Sequence, residues 1–259
     1  MLNRFTLLDL EAVAAPDALE WYPTVEADPR LLAELETPIE ADKRLTDPKK
    51  IADDLAKKNA ARAELPTRIA DDLAKRTAAL LESAVFDADA CRIVCVGLRE
   101  HDGSEYVTCV LSERQERAAL EDVWQRVNQT TPMLGYGLTW YDAGVLVRRS
   151  QLLGVPVPAA FYRQGKYRHD MIIELADYLT LNGMIEQRKG RGLDYHCKRL
   201  GITVDDAHTG KDIAALWAAG DLDGITAHCQ ADITRIRLLA ERLGVIPVAV
   251  PGLMTEAVL

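Results

Sequence analysis

The sequence predicts an α/β fold: a β-sheet flanked by helices, with a helical insertion after the first strand. Three observations carry that prediction. Short apolar runs at residues 5–10, 91–96 and 105–111 read as strands. A segment at about 28–84, rich in Ala, Lys, Asp and Glu, separates the first run from the other two. Beyond about residue 142, helical periodicity is broken only by Gly and polar turns. With 259 residues, 48% hydrophobic and 27% charged, the chain has the side chains for a substantial core and reads as a single domain, 1–259, that includes the insertion.

The first strand ends, on this reading, where Asp9 and Glu11 appear. Strand side chains alternate, so these two acids project from one face, at a spacing that lets them share a metal ion. In the insertion, Ile51–Lys57 (IADDLAK) recurs as Ile69–Lys75, an offset of about five helical turns. Pro66, between the copies, is expected to break one long helix or to begin a second, giving a helical hairpin or a kinked helix. Its plainest role is a solvated pair of helices held by charge pairs within each helix.

Residues 91–96 and 105–111 are joined by the turn cluster His101–Ser104 and should complete a three-stranded meander with the first strand. An amphipathic helix over about 113–128 then exposes Glu113, Arg117 and Glu121, and a short strand follows at 132–136. Asp142 opens a helix that runs to Gly154, as an acid often does at the positive end of a helix. Further helices are expected over about 169–182, 192–200, 211–218 and 222–243. The last carries an apolar stripe at Ile225, Cys229, Ile233, Ile236 and Ala240, with His228 and Asp232 four residues apart along its edge.

Composition excludes several classes. Cys91, Cys95, Cys109, Cys197 and Cys229 form an odd set without a CxxC pair, so they read as reduced residues rather than a disulfide framework or a common zinc site. A net charge of −9 argues against holding duplex nucleic acid by a broad basic surface. It is compatible with a metal-bearing acidic site that has only a basic rim. Two acids in the first apolar stretch argue against a signal peptide, and no segment approaches a membrane span, so a cytoplasmic location is the expectation.

Asp9-Leu10-Glu11 on a strand, Tyr141-Asp142 at a helix start and His228-Cys-Gln-Ala-Asp232 on the last helix, in that order, resemble the DEDD 3′–5′ exonucleases of ribonuclease H-like fold. The resemblance is closest to the predicted bacterial and phage exonucleases related to the proofreading domain of family B DNA polymerases. Arg44–Ile51 followed by Arg92–Gly97, and Leu193–Gly201 before Gly210-Lys211, look like further features of those relatives. The resemblance implies a mixed five-stranded sheet and hydrolysis at the 3′ end of single-stranded DNA, with RNA the less favoured substrate. Two positions depart from the family pattern: Gly137 stands where Asn is usual, and His228 occupies the Tyr slot.

On that resemblance, Asp9, Glu11, Asp142 and Asp232 hold two divalent ions, Mg2+ or Mn2+, that clamp the attacking and leaving oxygens of an in-line displacement. His228 orients or deprotonates the water, an imidazole being a more available base near neutrality than a phenol. Leu10, Trp140 and Tyr141 meet the terminal bases, ordinary packing being the alternative for the two aromatics. Arg188, Lys189 and Arg191 bring cations that can hold backbone phosphate or belong to a solvated loop. The implied partners are a DNA 3′ end, a separate replication or repair protein, or a second copy of the chain through the 28–84 helices, which could equally clamp nucleic acid. A catalytically silent nuclease fold serving binding or assembly is the competing reading. His228 and Gly137 favour it, and the retention of four mutually repelling carboxylates weighs against it. A ribonuclease H-like endonuclease is the third.

Overall fold

The computed structural model describes residues 2–128, 130–163, 170–186 and 191–248. After β1 (Thr6–Ala14) come α1 (Pro29–Glu36) and α2 (Pro48–Ala84), then β2 (Cys91–Glu100) and β3 (Glu105–Cys109). There follow α3 (Glu113–Arg126), β4 (Met133–Gly135), α4 (Asp142–Leu152), β5 (Ile172–Glu174) and α5 (Leu175–Thr180). The chain continues through α6 (Leu193–Arg199), α7 (Ile213–Ala219) and α8 (Leu222–Arg242). The strands form a five-stranded sheet in the order β3-β2-β1-β4-β5. β1, β2 and β3 make the expected antiparallel meander, and β4 joins β1, and β5 joins β4, in parallel.

The alternation of β1 sets its two faces. Leu8, Leu10 and Ala12 enter a core with Ile93, Leu120, Trp124 and Leu146, on the side covered by α3 and α4. Leu7 and Val13 face the other way, where Ile225, Cys229, Ile233 and Ile236 of α8 pack. Asp9 and Glu11 share that second parity, so the acids lie on the α8 side. The α8 stripe expected from the sequence is buried throughout. Across α3 and α4, the Glu116 carboxylate takes both Arg149 Nε at 2.7 Å and Arg149 Nη2 at 2.9 Å, and also the Ile93 N–H at 3.1 Å. One buried ion pair thus ties two helices to β2.

Three expectations need correction. β1 does not end at its acids: it runs to Ala14, because pairing with β2 continues to Ala14 opposite Cys91, past a register shift between Glu11 and Ala12. The helix expected over 169–182 begins only at Leu175, since Ile172–Glu174 are drawn into the sheet opposite Met133–Gly135. Nor does Pro66 break the insertion, for α2 is one helix of 37 residues that contains it.

Residues 16–84 form a compact unit of their own. In it the repeat has a plain structural purpose. The second Asp of each IADDLAK copy accepts a backbone N–H from the segment preceding α2: Asp72 from Asp28 at 2.8 Å and Asp54 from Asp42 at 3.0 Å. Each is also paired with a cation one turn on, Arg76 and Lys58, both at 2.8 Å. The two clamps lie on opposite sides of Pro66, and they hold both halves of the helix to one returning strip of chain. Among the described residues, no helix is long and apolar enough to cross a membrane.

Candidate active site

The site assembles where β1 passes under α8. β1 contributes Asp9 and Glu11, the first residue of α4 contributes Asp142, and α8 contributes His228 and Asp232. Close approach of α8 to the sheet depends on Gly97, which sits opposite Asp9 in β2. A Cβ there would lie 2.7 Å from Cys229 Sγ and 2.9 Å from Ile233 Cγ1.

The loop leading to Asp142 is shaped by two glycines. At Gly135 a Cβ would meet Leu138 Cγ at 2.8 Å and the Leu8 carbonyl oxygen at 2.9 Å. Gly137 has φ +86°. That left-handed conformation suits Gly, and Asn next best. Glu174, the residue that caps α5, holds the loop down. Its carboxylate accepts from the N–H groups of Gly137 at 2.9 Å, Thr139 at 3.1 Å and Ala176 at 3.0 Å. Asp142 is the first residue of α4, and its carboxylate accepts its own N–H.

These acids feel one another. Burial, then Glu11, Asp232 and Asp142, push the Asp9 carboxyl well above the ordinary carboxylate range, and a bond from the Cys229 thiol offsets this only in part. Burial followed by Asp232, Cys95, Asp142 and Asp206 does the same to Glu11. Asp142 is pushed up to about 7, chiefly by burial, with its own N–H opposing and Glu174 and Asp232 adding to the rise. Asp9 Oδ2 is buried and has no hydrogen-bond partner. Carboxylates gathered in this way, one with an orphaned oxygen, are the donor set a hard divalent cation takes. The residues therefore fit the metal that the resemblance implies.

His228 is 4% exposed. Its Nε2 lies 3.5 Å from Glu11 Oε1 and 3.7 Å from Asp232 Oδ2. One atom from each of Glu11, His228 and Asp232 can be chosen so that all lie within 4.8 Å of one another, close enough for a single ion. On its other side Nδ1 is 2.8 Å from Asp206 Oδ2. Arg235 Nη1 reaches the same Asp206 oxygen at 2.7 Å and also donates to Asp232 Oδ1. The His208 N–H, Arg235 and His228 together outweigh burial and hold Asp206 below its usual range.

Of the residues expected to meet nucleic acid, Trp140 is 60% exposed at the end of the Asp142 loop. Tyr141 is tied down, its hydroxyl donating to the Val85 carbonyl at 2.7 Å and its ring meeting Phe86 at 6.0 Å. Leu10 does not fit its expected role, being 5% exposed within the core on the α3 side, because strand alternation turns it away from Asp9 and Glu11. The Arg191 guanidinium lies over the Tyr195 ring, 5.3 Å from its centroid. Arg188 and Lys189 lie outside the described residues. Sequence reasoning missed Glu174, Asp206 and Arg235. Glu174 alone carried a local signal, an acid directly before a helix.

The family described as predicted 3′–5′ exonucleases related to the exonuclease domain of PolB matches residues 87–245. That span contains Asp142, His228 and Asp232. The first two acids precede it and reach the site through the pairing of β1 with β2. No curated protein matches the sequence. Among solved structures, the family B DNA polymerase from the hyperthermophilic archaeon Pyrobaculum calidifontis is similar, with a TM-score of 0.52 and 14% identity over 94% of this chain. The likeness shows the fold, ribonuclease H-like with a mixed five-stranded sheet. The chain spans 25% of that polymerase's length.

Proposed function

This chain belongs to the predicted 3′–5′ exonucleases related to the exonuclease domain of PolB, and we propose that it hydrolyses the terminal phosphodiester at the 3′ end of single-stranded DNA. The observation that supports this most is that Asp142 and Asp232 lie near enough to Asp9 and Glu11 to raise their carboxyls, with Asp9 Oδ2 buried and unpartnered. A cluster of this kind is unfavourable without a cation, so its retention argues for use and against a silent fold.

The four carboxylates would hold a pair of divalent ions, Mg2+ or Mn2+, whose chemistry is to polarise the scissile phosphate and to make water acidic. The chain's own residues do the rest. Glu174 fixes the loop that presents Asp142 and Trp140. Trp140 offers an exposed face on which a terminal base can stack without regard to sequence. Arg235 holds one oxygen of Asp232, so that the other faces His228. The acidic body keeps duplex away and leaves a strand end as the substrate that fits.

The test is digestion of 5′-labelled single-stranded DNA and RNA with Mg2+ or Mn2+, run beside Asp142→Ala. A ladder that shortens from the 3′ end of DNA and vanishes in the variant is expected. Internal cuts would replace this reading with an endonuclease. An intact substrate, or equal digestion by the variant, would replace it with a binding module.

A further inference from the structure

We propose that His228 is a nitrogen ligand of the metal held by Glu11 and Asp232, and that Asp206 is the positioning residue that makes it one. The inference rests on the metal-dependent reading above and assigns a role that a Tyr in the same slot could not fill in the same way. Three features carry it.

The first is direction. The Asp206 carboxylate accepts from Arg235 Nη1 at 2.7 Å and from the His208 N–H at 3.0 Å, so the His228 Nδ1 that faces it at 2.8 Å is placed as a third donor. With Nδ1 engaged by Asp206, the nitrogen left to meet an ion is Nε2, the arrangement of a carboxylate standing behind a metal-bound histidine. The second is what Nε2 faces. Glu11 Oε1 at 3.5 Å and Asp232 Oδ2 at 3.7 Å are acceptors too. One imidazole nitrogen and two carboxylate oxygens turned toward one point make a ligand set that a divalent ion can take. The third is spacing, since the ligand atoms lie within 4.8 Å of one another, a separation that one ion can span.

The choice of metal follows. An all-carboxylate site suits Mg2+, whereas one imidazole among carboxylates moves preference toward first-row transition ions. Asp206, on the loop between α6 and α7, thus acts on the ion through His228 without touching it.

The experiment uses Mn2+ as the probe on the full chain. Pulsed electron paramagnetic resonance should show directly coordinated nitrogen on bound Mn2+ in the wild type and none in His228→Phe. Asp206→Ala should weaken Mn2+ binding by roughly 10-fold or more and diminish the nitrogen coupling, while Asp206→Asn, which can still accept from Nδ1, retains both. Mg2+ affinity should change by less than about threefold in all three variants. Wild-type Mn2+ without nitrogen coupling would overturn the assignment whether or not any variant folds, and so would unchanged coupling in Asp206→Ala. A protein that shows the coupling but does not shorten DNA keeps this assignment and loses the exonuclease reading. One that shortens DNA with no coupling does the reverse.

Discussion

Gly97 of β2 lies so close beneath Cys229 of α8 that a Cβ on the glycine would stand 2.7 Å from the cysteine sulfur. The depth at which α8 rests on β1 and β2 is set there, and α8 carries His228 and Asp232. Gly97→Val should destabilise the fold by about 1–3 kcal/mol through overpacking and also weaken Mn2+ binding, because both α8 ligands lift away from Asp9 and Glu11. Gly97→Ala combined with Cys229→Ala should recover part of what Gly97→Ala alone loses. Melting curves and Mn2+ titrations of these variants check it, and a Gly97→Val protein that binds Mn2+ normally would refute the link.

Trp140 can be removed with little harm to the fold, since 60% of its surface is already in water. Trp140→Ala should nevertheless reduce affinity for single-stranded DNA by about 1–3 kcal/mol, with Trp140→Phe falling between the two. Fluorescence anisotropy in Ca2+, an ion chosen to limit turnover, measures this. Unchanged affinity would mark Trp140 as a bystander.

Protonation and cations should trade places in the acid cluster. Asp9, Glu11 and Asp142 bind protons more tightly in the cation-free folded protein than in the unfolded chain, with Asp142 at about 7 against an ordinary 3.8. Between those limits Asp142 holds an extra proton in the folded state, so its contribution to stability falls as pH rises through about 7, and the raised Asp9 and Glu11 carboxyls act in the same direction. The cation-free melting temperature should therefore contain a component that drops from pH 5 to pH 8, and Asp142→Asn should flatten it. Mn2+ should raise the melting temperature strongly at pH 8 and weakly at pH 5. Equal stabilisation at both pH values would contradict the shared-site geometry.

Glu116 and Arg149 test the other face of the sheet. Glu116→Ala leaves a buried guanidinium and the Ile93 N–H without a partner, and should cost about 3–5 kcal/mol. Replacing both residues by Leu and Met should cost much less. Denaturant unfolding of the single and double variants distinguishes the two outcomes.

Much of this molecule was legible in its residues, and the reasons differ by element. The α8 stripe from Ile225 to Ala240 was readable because a long helix repeats its signal many times, and every stripe residue is buried. Asp9 and Glu11 could be put on one face because strand alternation is strict. β5 could not be read, because three residues give no period and only their pairing with β4 makes them a strand. Pro66 suggested a break where α2 is continuous, and what ties the two halves of that helix to the preceding strip, the bonds of Asp54 and Asp72, joins residues 12 and 44 positions apart that no local pattern connects. Asp206 was invisible for another reason: no spacing rule connects a loop acid to a histidine 22 residues on, and only the folded chain brings them within 2.8 Å.

The middle position of β1 has a bearing on biosynthesis. β1 emerges from the ribosome well before β2 on one side and β4 on the other, so it must wait as an apolar strand with both edges bare while the α2 helix is being made. Until the partners arrive it is the segment of the nascent chain most open to wrong pairing. Asp9 and Glu11, which interrupt its apolar run, meanwhile act as gatekeepers that discourage self-association.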